Sequence, residues 1–99
     1  KSFGSMPGMY VKELYLDKVE FAGMIANGRV FRGDKGRYVT FLTLGVGNGQ
    51  YIDVTIKKPF SYSDHDVVWG QGTIRHSNNS DYVECFDSKG FRLEKFINN

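Results

Sequence analysis

The stretch that decides the fold is FAGMIANGRVFRGDKGRYVTFLTLGVGNGQYIDVTI, residues 21–56. We predict one strand over 21–31, a hairpin turn over the basic glycine segment 33–36, and a second strand over 37–46. A glycine loop then leads to a third strand over 51–57. Apolar and polar side chains alternate in the second and third runs, which is typical of antiparallel strands buried on one face only.

The alternation also predicts which side chains of these two runs face the core. The inward set is Thr40, Leu42, Leu44, Val46, Ile52, Val54 and Ile56. The outward set is Arg37, Val39, Phe41, Thr43, Tyr51, Asp53, Thr55 and Lys57. A sheet face that exposes aromatic rings together with positive charge is suited to holding single-stranded nucleic acid.

The remaining segments give weaker signals. Residues 10–20 are predicted to be a strand or an irregular lead-in, with a short helix as the alternative. Gly23 and Gly28 interrupt the first strand and are expected to mark bends or bulges. The rest is predicted to form a polar loop (59–66), a fourth strand (67–75), a turn (76–80) and a short strand (81–86). A second turn (87–90) and a last strand or short helix (91–97) follow.

These elements predict an all-β fold with little or no helix. Five principal strands in about 90 residues favour a small OB-fold, a five-stranded Greek-key barrel whose second and third strands form the binding face. An SH3-like barrel and a small sandwich are the alternatives. Residues 10–99 are expected to be one domain, because a chain this short buries a single core. Residues 1–9 are interpreted as an expression remnant or a disordered start.

The net charge of +2 is too small to indicate a polyanionic partner by itself. The distribution is more informative, because four basic residues lie close together around the predicted hairpin turn. They are Arg29, Arg32, Lys35 and Arg37, against the single acid Asp34. Phosphate contacts are therefore expected first at this hairpin.

No arrangement of residues in the sequence indicates an enzyme, a cofactor or a metal. The lone Cys85 has no nearby histidine, and we expect it to be a core thiol in a cytoplasmic protein. Neighbours in Asp64-His65-Asp66 point to opposite sides of an extended chain, and no further ligand lies nearby in sequence. The glycines of 45–49 precede a strand, so they offer no helix N-terminus to a dinucleotide. No apolar run reaches the ~20 residues that a membrane helix needs.

Three segments resemble the strands of OB-fold single-stranded DNA-binding proteins: TFLTLGV (40–46) the second, YIDVTI (51–56) the third and VVWGQGTIR (67–75) the fourth. Together they comprise 22 of the 99 residues. The family's usual helix between strands three and four is replaced here by 59–66. The family's acidic C-terminal tail is also missing, since the sequence ends FINN. We therefore expect a short member of the phage or mobile-element type.

The resemblance implies binding of single-stranded DNA with little sequence preference, in support of DNA replication or transfer. The candidate stacking rings are Phe41, Tyr51, Phe60, Tyr62 and Trp69. The candidate phosphate contacts are Arg29, Arg32, Lys35, Arg37, Lys57, Lys58 and Arg75. The rings could instead cover a second small core or an interface, and Phe60 and Tyr62 could plug the end of the barrel.

Two further expectations concern partners. A homodimer or higher oligomer is expected, because one small barrel covers only about 4–16 nucleotides, and RNA could be bound through the same contacts. The alternative function is a protein-interaction or assembly module that uses the aromatic face, which the modest net charge favours. The salt dependence of binding distinguishes the two functions, because phosphate binding weakens steeply with ionic strength and an apolar interface does not. No membrane partner is expected.

Overall fold

The computed structural model describes residues 9–85 and 93–95. The strands are β1 (Tyr10–Tyr15), β2 (Lys18–Arg32), β3 (Tyr38–Gly47), β4 (Gln50–Ile56), β5 (Val67–His76), β6 (Asp81–Cys85) and β7 (Leu93–Lys95). A short 3₁₀ turn, Asp34–Gly36, joins β2 to β3. The described residues contain no α-helix, so the all-β prediction is confirmed for them.

Five of the strands form a closed ring of pairings. The second half of β2 pairs with β3, and its first half pairs with β5. β3 pairs with β4, β4 pairs in parallel with β6, and β6 returns to β5. β1 and β7 lie outside this ring, against β2 and β5 respectively.

The register shift of β2 falls at neither of the two predicted glycines. It lies between Ile25 and Asn27, while Gly23 and Gly28 both keep regular partners. The bulge prediction for the two glycines was therefore wrong. They instead permit close approach: a Cβ on Gly23 would lie 2.8 Å from the carbonyl oxygen of Gly45, and one on Gly28 would lie 2.8 Å from Cζ of Tyr62.

The core lies inside the ring and confirms the inward set of the predicted alternation, whereas Thr55 of the outward set is also buried, at 6% exposed. The inward residues of β3 and β4 are buried, apart from the half-buried Ile52. They pack with Val19, Phe21, Ile25, Val68, Val83 and Cys85. The only hydroxyl among the inward residues of β3, on Thr40, is satisfied: it donates to the carbonyl of Lys58 (2.8 Å) and accepts from the amide of Phe60 (3.0 Å). Burying each large apolar side chain contributes about 1.5–3 kcal/mol, so the alternation fixes the register.

The other segment predictions are mostly confirmed. Residues 10–15 form a strand rather than the alternative helix, and 59–66 contain no helix. The last element is a strand over 93–95. The predictions for residues 1–8, for the turn 87–90, and for Phe86, 91–92 and 96–97 lie outside the described residues. In the part of the chain that the structure describes, no helix is long and apolar enough to cross a membrane.

Candidate nucleic-acid interface

The outward faces of β2, β3 and β4 border a groove of about 640 Å³. Its lining includes Arg29, Phe41, Asp53, Lys57 and Glu84. Arg29 lies opposite Phe41 and Phe41 lies opposite Thr55 in the sheet. Thr55 is in turn paired with Glu84. One cross-strand row therefore crosses the groove from β2 to β6.

Two exposed rings and a guanidinium form a cluster at one side of the groove. The ring centroids of Phe31 and Phe41 are 4.8 Å apart, with the planes tilted by 48°. Cζ of Arg29 lies 4.8 Å from the centroid of Phe31, within the range of a cation–π contact. Phe31 and Phe41 are 39% and 38% exposed. The cluster thus presents apolar ring surface and positive charge together.

The sequence prediction missed Phe31. Phe31 lies two positions after Arg29 and therefore shares its outward face of β2, opposite Val39 of β3. The signal was obscured because the register shift between Ile25 and Asn27 changes the face to which each later residue of β2 points.

Lys57 and Arg75, both predicted phosphate contacts, are held by one internal carboxylate. Lys57 Nζ lies 3.2 Å from Oε2 of Glu84, and Arg75 Nε lies 2.9 Å from its Oε1. Glu84 is only 8% exposed. Burial acts to raise the pKa of Glu84, but the hydrogen bonds from Arg75 and Lys57 outweigh it and hold the pKa below its usual value. This wall of the groove is therefore charged but already paired.

The predicted hairpin cations are arranged differently. Arg29, Arg32, Lys35 and Arg37 are all exposed, and no ion pair among residues 9–85 includes any of them. Lys35 adopts a left-handed conformation (φ 63°) at the tip of the turn. Arg29 lines the groove, and the other three lie further along the same hairpin. Their charge is available to a ligand that extends out of the groove over the hairpin.

The structure also places the other predicted binding residues. Tyr51 is 64% exposed and shares the outward face of β4 with Asp53, beyond the end of the groove. Phe60 and Tyr62 are half-buried and pack against the core, which corresponds to the plug alternative rather than to rings free to stack on bases. Lys58 is half-buried, and its carbonyl accepts the hydrogen bond from Thr40.

Trp69 lies outside the groove in a hydrogen-bonded cluster with β1. Its Nε1–H donates to the hydroxyl of Tyr10 (3.1 Å), which donates to Oε2 of Glu20 (2.7 Å). Gln71 donates to the other oxygen of Glu20 (3.2 Å). The Tyr10 hydrogen bond lowers the pKa of Glu20, whereas burial first and then Glu20 raise the pKa of Tyr10. Trp69 is half-buried, so the prediction that it faces outward is right but its ring is not freely presented.

The segment from Asp64 to Asp66 closes the fold next to the register shift of β2. Ile25 donates its amide to the carbonyl of Asp66 (2.8 Å) and accepts from the amide of His65 (3.0 Å). The Asp66 carboxylate accepts from the amide of Ser63 (2.8 Å). These bonds give the segment a structural role.

No protein-family model, curated protein or solved structure matches this chain. Exposed rings can stack against flat ligands, unpaired guanidinium groups can bind anions, and the groove joins the two along one sheet face.

Proposed function

We propose that this chain binds single-stranded DNA with little sequence preference, in support of DNA replication or transfer. The observation that carries the proposal is the exposed cluster of Arg29, Phe31 and Phe41 beside a groove. Every base has a π-face, so exposed rings bind bases of any sequence at about 1–3 kcal/mol per base. The hairpin cations, which have no ion pair among residues 9–85, would hold the phosphates that follow.

The proposal includes the OB-fold and membership of the OB-fold single-stranded DNA-binding proteins of phage or mobile-element type. The closed ring β2-β3-β4-β6-β5 supports this fold, because an OB-fold is a five-stranded Greek-key barrel. The position of the groove also supports it. If β2 is the first strand of the barrel, the groove lies on the second and third strands, which form the binding face in OB-folds.

The geometry favours a single strand over a duplex. A ring on a sheet can stack only on a base whose face is free, and in a duplex these faces are covered by neighbouring bases. RNA offers the same free faces and phosphates, so it remains a competing ligand. We further propose a homodimer or higher oligomer in the cytoplasm. The small footprint of one barrel supports the oligomer, and the lone buried thiol of Cys85 fits a reducing compartment.

The test is the fluorescence anisotropy of a labelled oligo-dT of roughly 20 nucleotides, titrated with the protein at two salt concentrations. We expect tight binding at low salt, weaker binding at higher salt, and little binding to a duplex of the same length. Phe31→Ala and Phe41→Ala should each weaken binding about 5- to 150-fold, the equivalent of one lost stacking contact. Tyr15→Ala is the matched control, because Tyr15 is an exposed ring on β1, far in the sheet order from β4.

A second candidate, a protein-interaction or assembly module, is favoured by the surface around β1. Val11, Leu14, Tyr15 and Leu16 are all exposed, and Leu16 is 76% exposed. β1 also lies at the edge of the sheet order. If the oligonucleotides do not bind at low salt, the DNA proposal fails and this candidate replaces it. If Tyr15→Ala weakens binding as much as Phe41→Ala does, the assignment of the binding surface to the groove is wrong.

A further inference from the structure

A carboxylate lies between two exposed rings on the outward face of the β3–β4 hairpin. Three successive cross-strand pairs on this face are Phe41 with Thr55, Thr43 with Asp53, and Gly45 with Tyr51. At about 3.3 Å per residue, the rows that hold Phe41 and Tyr51 are about 13 Å apart, with Asp53 midway. A chain of bases that stacks on both rings has to pass this carboxylate.

Asp53 differs from the other acid of the groove, Glu84. Asp53 is exposed, and no ion pair among residues 9–85 includes it. Its Oδ1 accepts one hydrogen bond, from Oγ1 of Thr43 (3.0 Å). A carboxylate has about four acceptor positions, so most of its capacity remains for a ligand. Glu84, in contrast, is nearly buried and already binds two cations.

The charge of Asp53 determines which part of a nucleotide can lie next to it. A phosphate is repelled by an unpaired carboxylate, whereas an N–H group of a base is attracted to it. The bases of a single strand expose their Watson–Crick edges, which are hidden in a duplex. An acceptor-only group at this place therefore selects among bases by the donors on that edge.

The four bases differ in these donors. Guanine presents two adjacent donors, N1–H and the N2 amino group, which match the two oxygens of one carboxylate. Cytosine presents the N4 amino group, to which acidic side chains bind in DNA complexes. Adenine places an acceptor beside its amino group, and thymine flanks its single N–H with two carbonyls. Guanine is the best match.

We infer that Asp53 makes guanine the preferred base at one position of a groove that otherwise tolerates any sequence. The inference rests on the proposed function and deepens it. Stacking supplies most of the affinity, and Asp53 sets the register of a strand that contains guanine. Cytosine is second in the order of preference, and thymine is last.

The experiment compares oligo-dT of about 15 nucleotides with versions that carry one central guanine, hypoxanthine or adenine. Hypoxanthine is a purine like guanine and stacks similarly but lacks the N2 amino group, so the guanine-to-hypoxanthine ratio isolates the second donor. We expect the wild-type protein to bind the guanine oligonucleotide at least about fivefold more tightly than either other purine version.

The variant Asp53→Asn should reduce this ratio to about one. The loss of charge will also strengthen binding to the oligonucleotides without guanine, and this is why the ratio and not the affinity is the readout. Asp64→Asn is the matched control: Asp64 is exposed in the 59–66 segment, away from the groove lining, and the variant should keep the wild-type ratio.

The outcomes separate the inference from the proposal on which it rests. If all oligonucleotides bind the wild-type protein equally, or if Asp53→Asn keeps the guanine preference, the inference is overturned and the proposed function stands. If none of them binds at low salt, both are overturned.

Discussion

Two clusters on the outside of the same ring of strands place aromatic rings beside polar groups, but the rings are exposed in one cluster and half-buried in the other. Phe31, Phe41 and Arg29 stay exposed on β2 and β3. Trp69, on β5, is half-buried and hydrogen-bonded to Tyr10. Both aromatic sets face outward from the core, so the direction of a side chain from its strand does not decide whether a ligand can reach it. The decisive difference is whether another element covers the ring.

The element that covers Trp69 is β1. Tyr10 lies opposite Ala22 on one edge of β2, and Trp69 lies opposite the same Ala22 on the other edge. The two rings are therefore neighbours across β2, and their hydroxyl and indole groups complete a chain to Glu20. The pairing of β1 with β2 runs from Tyr15 opposite Lys18 to Tyr10 opposite Ala22, so it lies along the first half of β2 and does not reach Phe31.

The cations divide in the same way. Lys57 and Arg75 are bound to Glu84, whereas Arg29 and Arg37 have no ion pair among the described residues. The paired cations give less to a phosphate, because a phosphate must first compete with the carboxylate. The comparison thus distinguishes surface that stabilises the fold from surface that remains for a ligand.

The sharpest test of the comparison pairs Phe41→Ala with Trp69→Phe. Phe41→Ala should weaken oligo-dT binding about 5- to 150-fold. It will also lower stability, because the Phe41 ring is only 38% exposed and packs against Phe31. Trp69→Phe should lower stability without the loss of binding. It removes the Nε1–H donor to Tyr10, which costs about 0.5–1.5 kcal/mol of unfolding free energy, and it should leave binding within about twofold.

Anisotropy and urea unfolding of the same two variants make the measurement. Tyr15→Ala serves as the control for both, since Tyr15 belongs to neither cluster. If Trp69→Phe weakened binding as much as Phe41→Ala, the β1-covered cluster would be part of the binding surface, and the distinction between the two regions would be wrong.

The sequence predicted which side chains of β3 and β4 face outward, but it did not predict which outward groups are already bound to other parts of the chain. The faces of β3 and β4 could be predicted because their alternation is uninterrupted from Thr40 to Val46 and from Ile52 to Ile56. The role of Glu84 could not, because it depends on the parallel pairing of β4 with β6, which places Glu84 beside Lys57.

Contacts between distant residues account for the remaining errors. The partner of Trp69 is 59 residues away in sequence, and no local pattern indicates that Tyr10 would cover it. Phe31 was missed because of one extra residue in β2, which no glycine marked. Local periodicity therefore predicts which face a residue occupies, and only the topology shows what lies on that face.

Replacing Glu84 by Gln is expected to have a smaller effect on binding than the loss of a ring. Without the carboxylate charge, Lys57 and Arg75 become free for phosphates. Binding of oligo-dT should strengthen by several-fold at low salt, and the slope of log affinity against log salt should steepen by about 0.7 for each phosphate gained. The slope is the diagnostic measurement, since a purely structural effect of Glu84→Gln would not steepen it.

Lys57→Met with Glu84→Gln provides the matched control for that slope. This double variant lacks one of the two cations that Glu84→Gln releases, so about half of the increase in the salt slope should disappear. An unchanged slope in Glu84→Gln would mean that phosphates do not reach this wall of the groove, and it would restrict the phosphate contacts to the hairpin.

The smallest expected effect is a decrease in the free energy of unfolding at low pH. The folded-state pKa values of Glu84 and Glu20 lie below their ordinary value of 4.5. The unfolded chain therefore binds these protons first as the pH falls. Both carboxylates contribute their stability fully above pH 4.5 and lose it as the pH falls through their lower folded values. Urea unfolding of the wild-type protein at about pH 7 and about pH 3.5 should show this loss.

The two carboxylates belong to opposite regions of the comparison, so single variants can assign the acid effect. Glu20→Gln and Glu84→Gln should each flatten part of the pH dependence, because a glutamine cannot titrate. Asp34→Asn is the control, since Asp34 is an exposed acid outside both clusters. Both regions then store part of their stability in charged hydrogen bonds, although only the groove would also use its charges for a ligand. A variant Glu84→Gln with the full wild-type acid sensitivity would contradict this account, because the pair with Lys57 and Arg75 would then contribute nothing to folding.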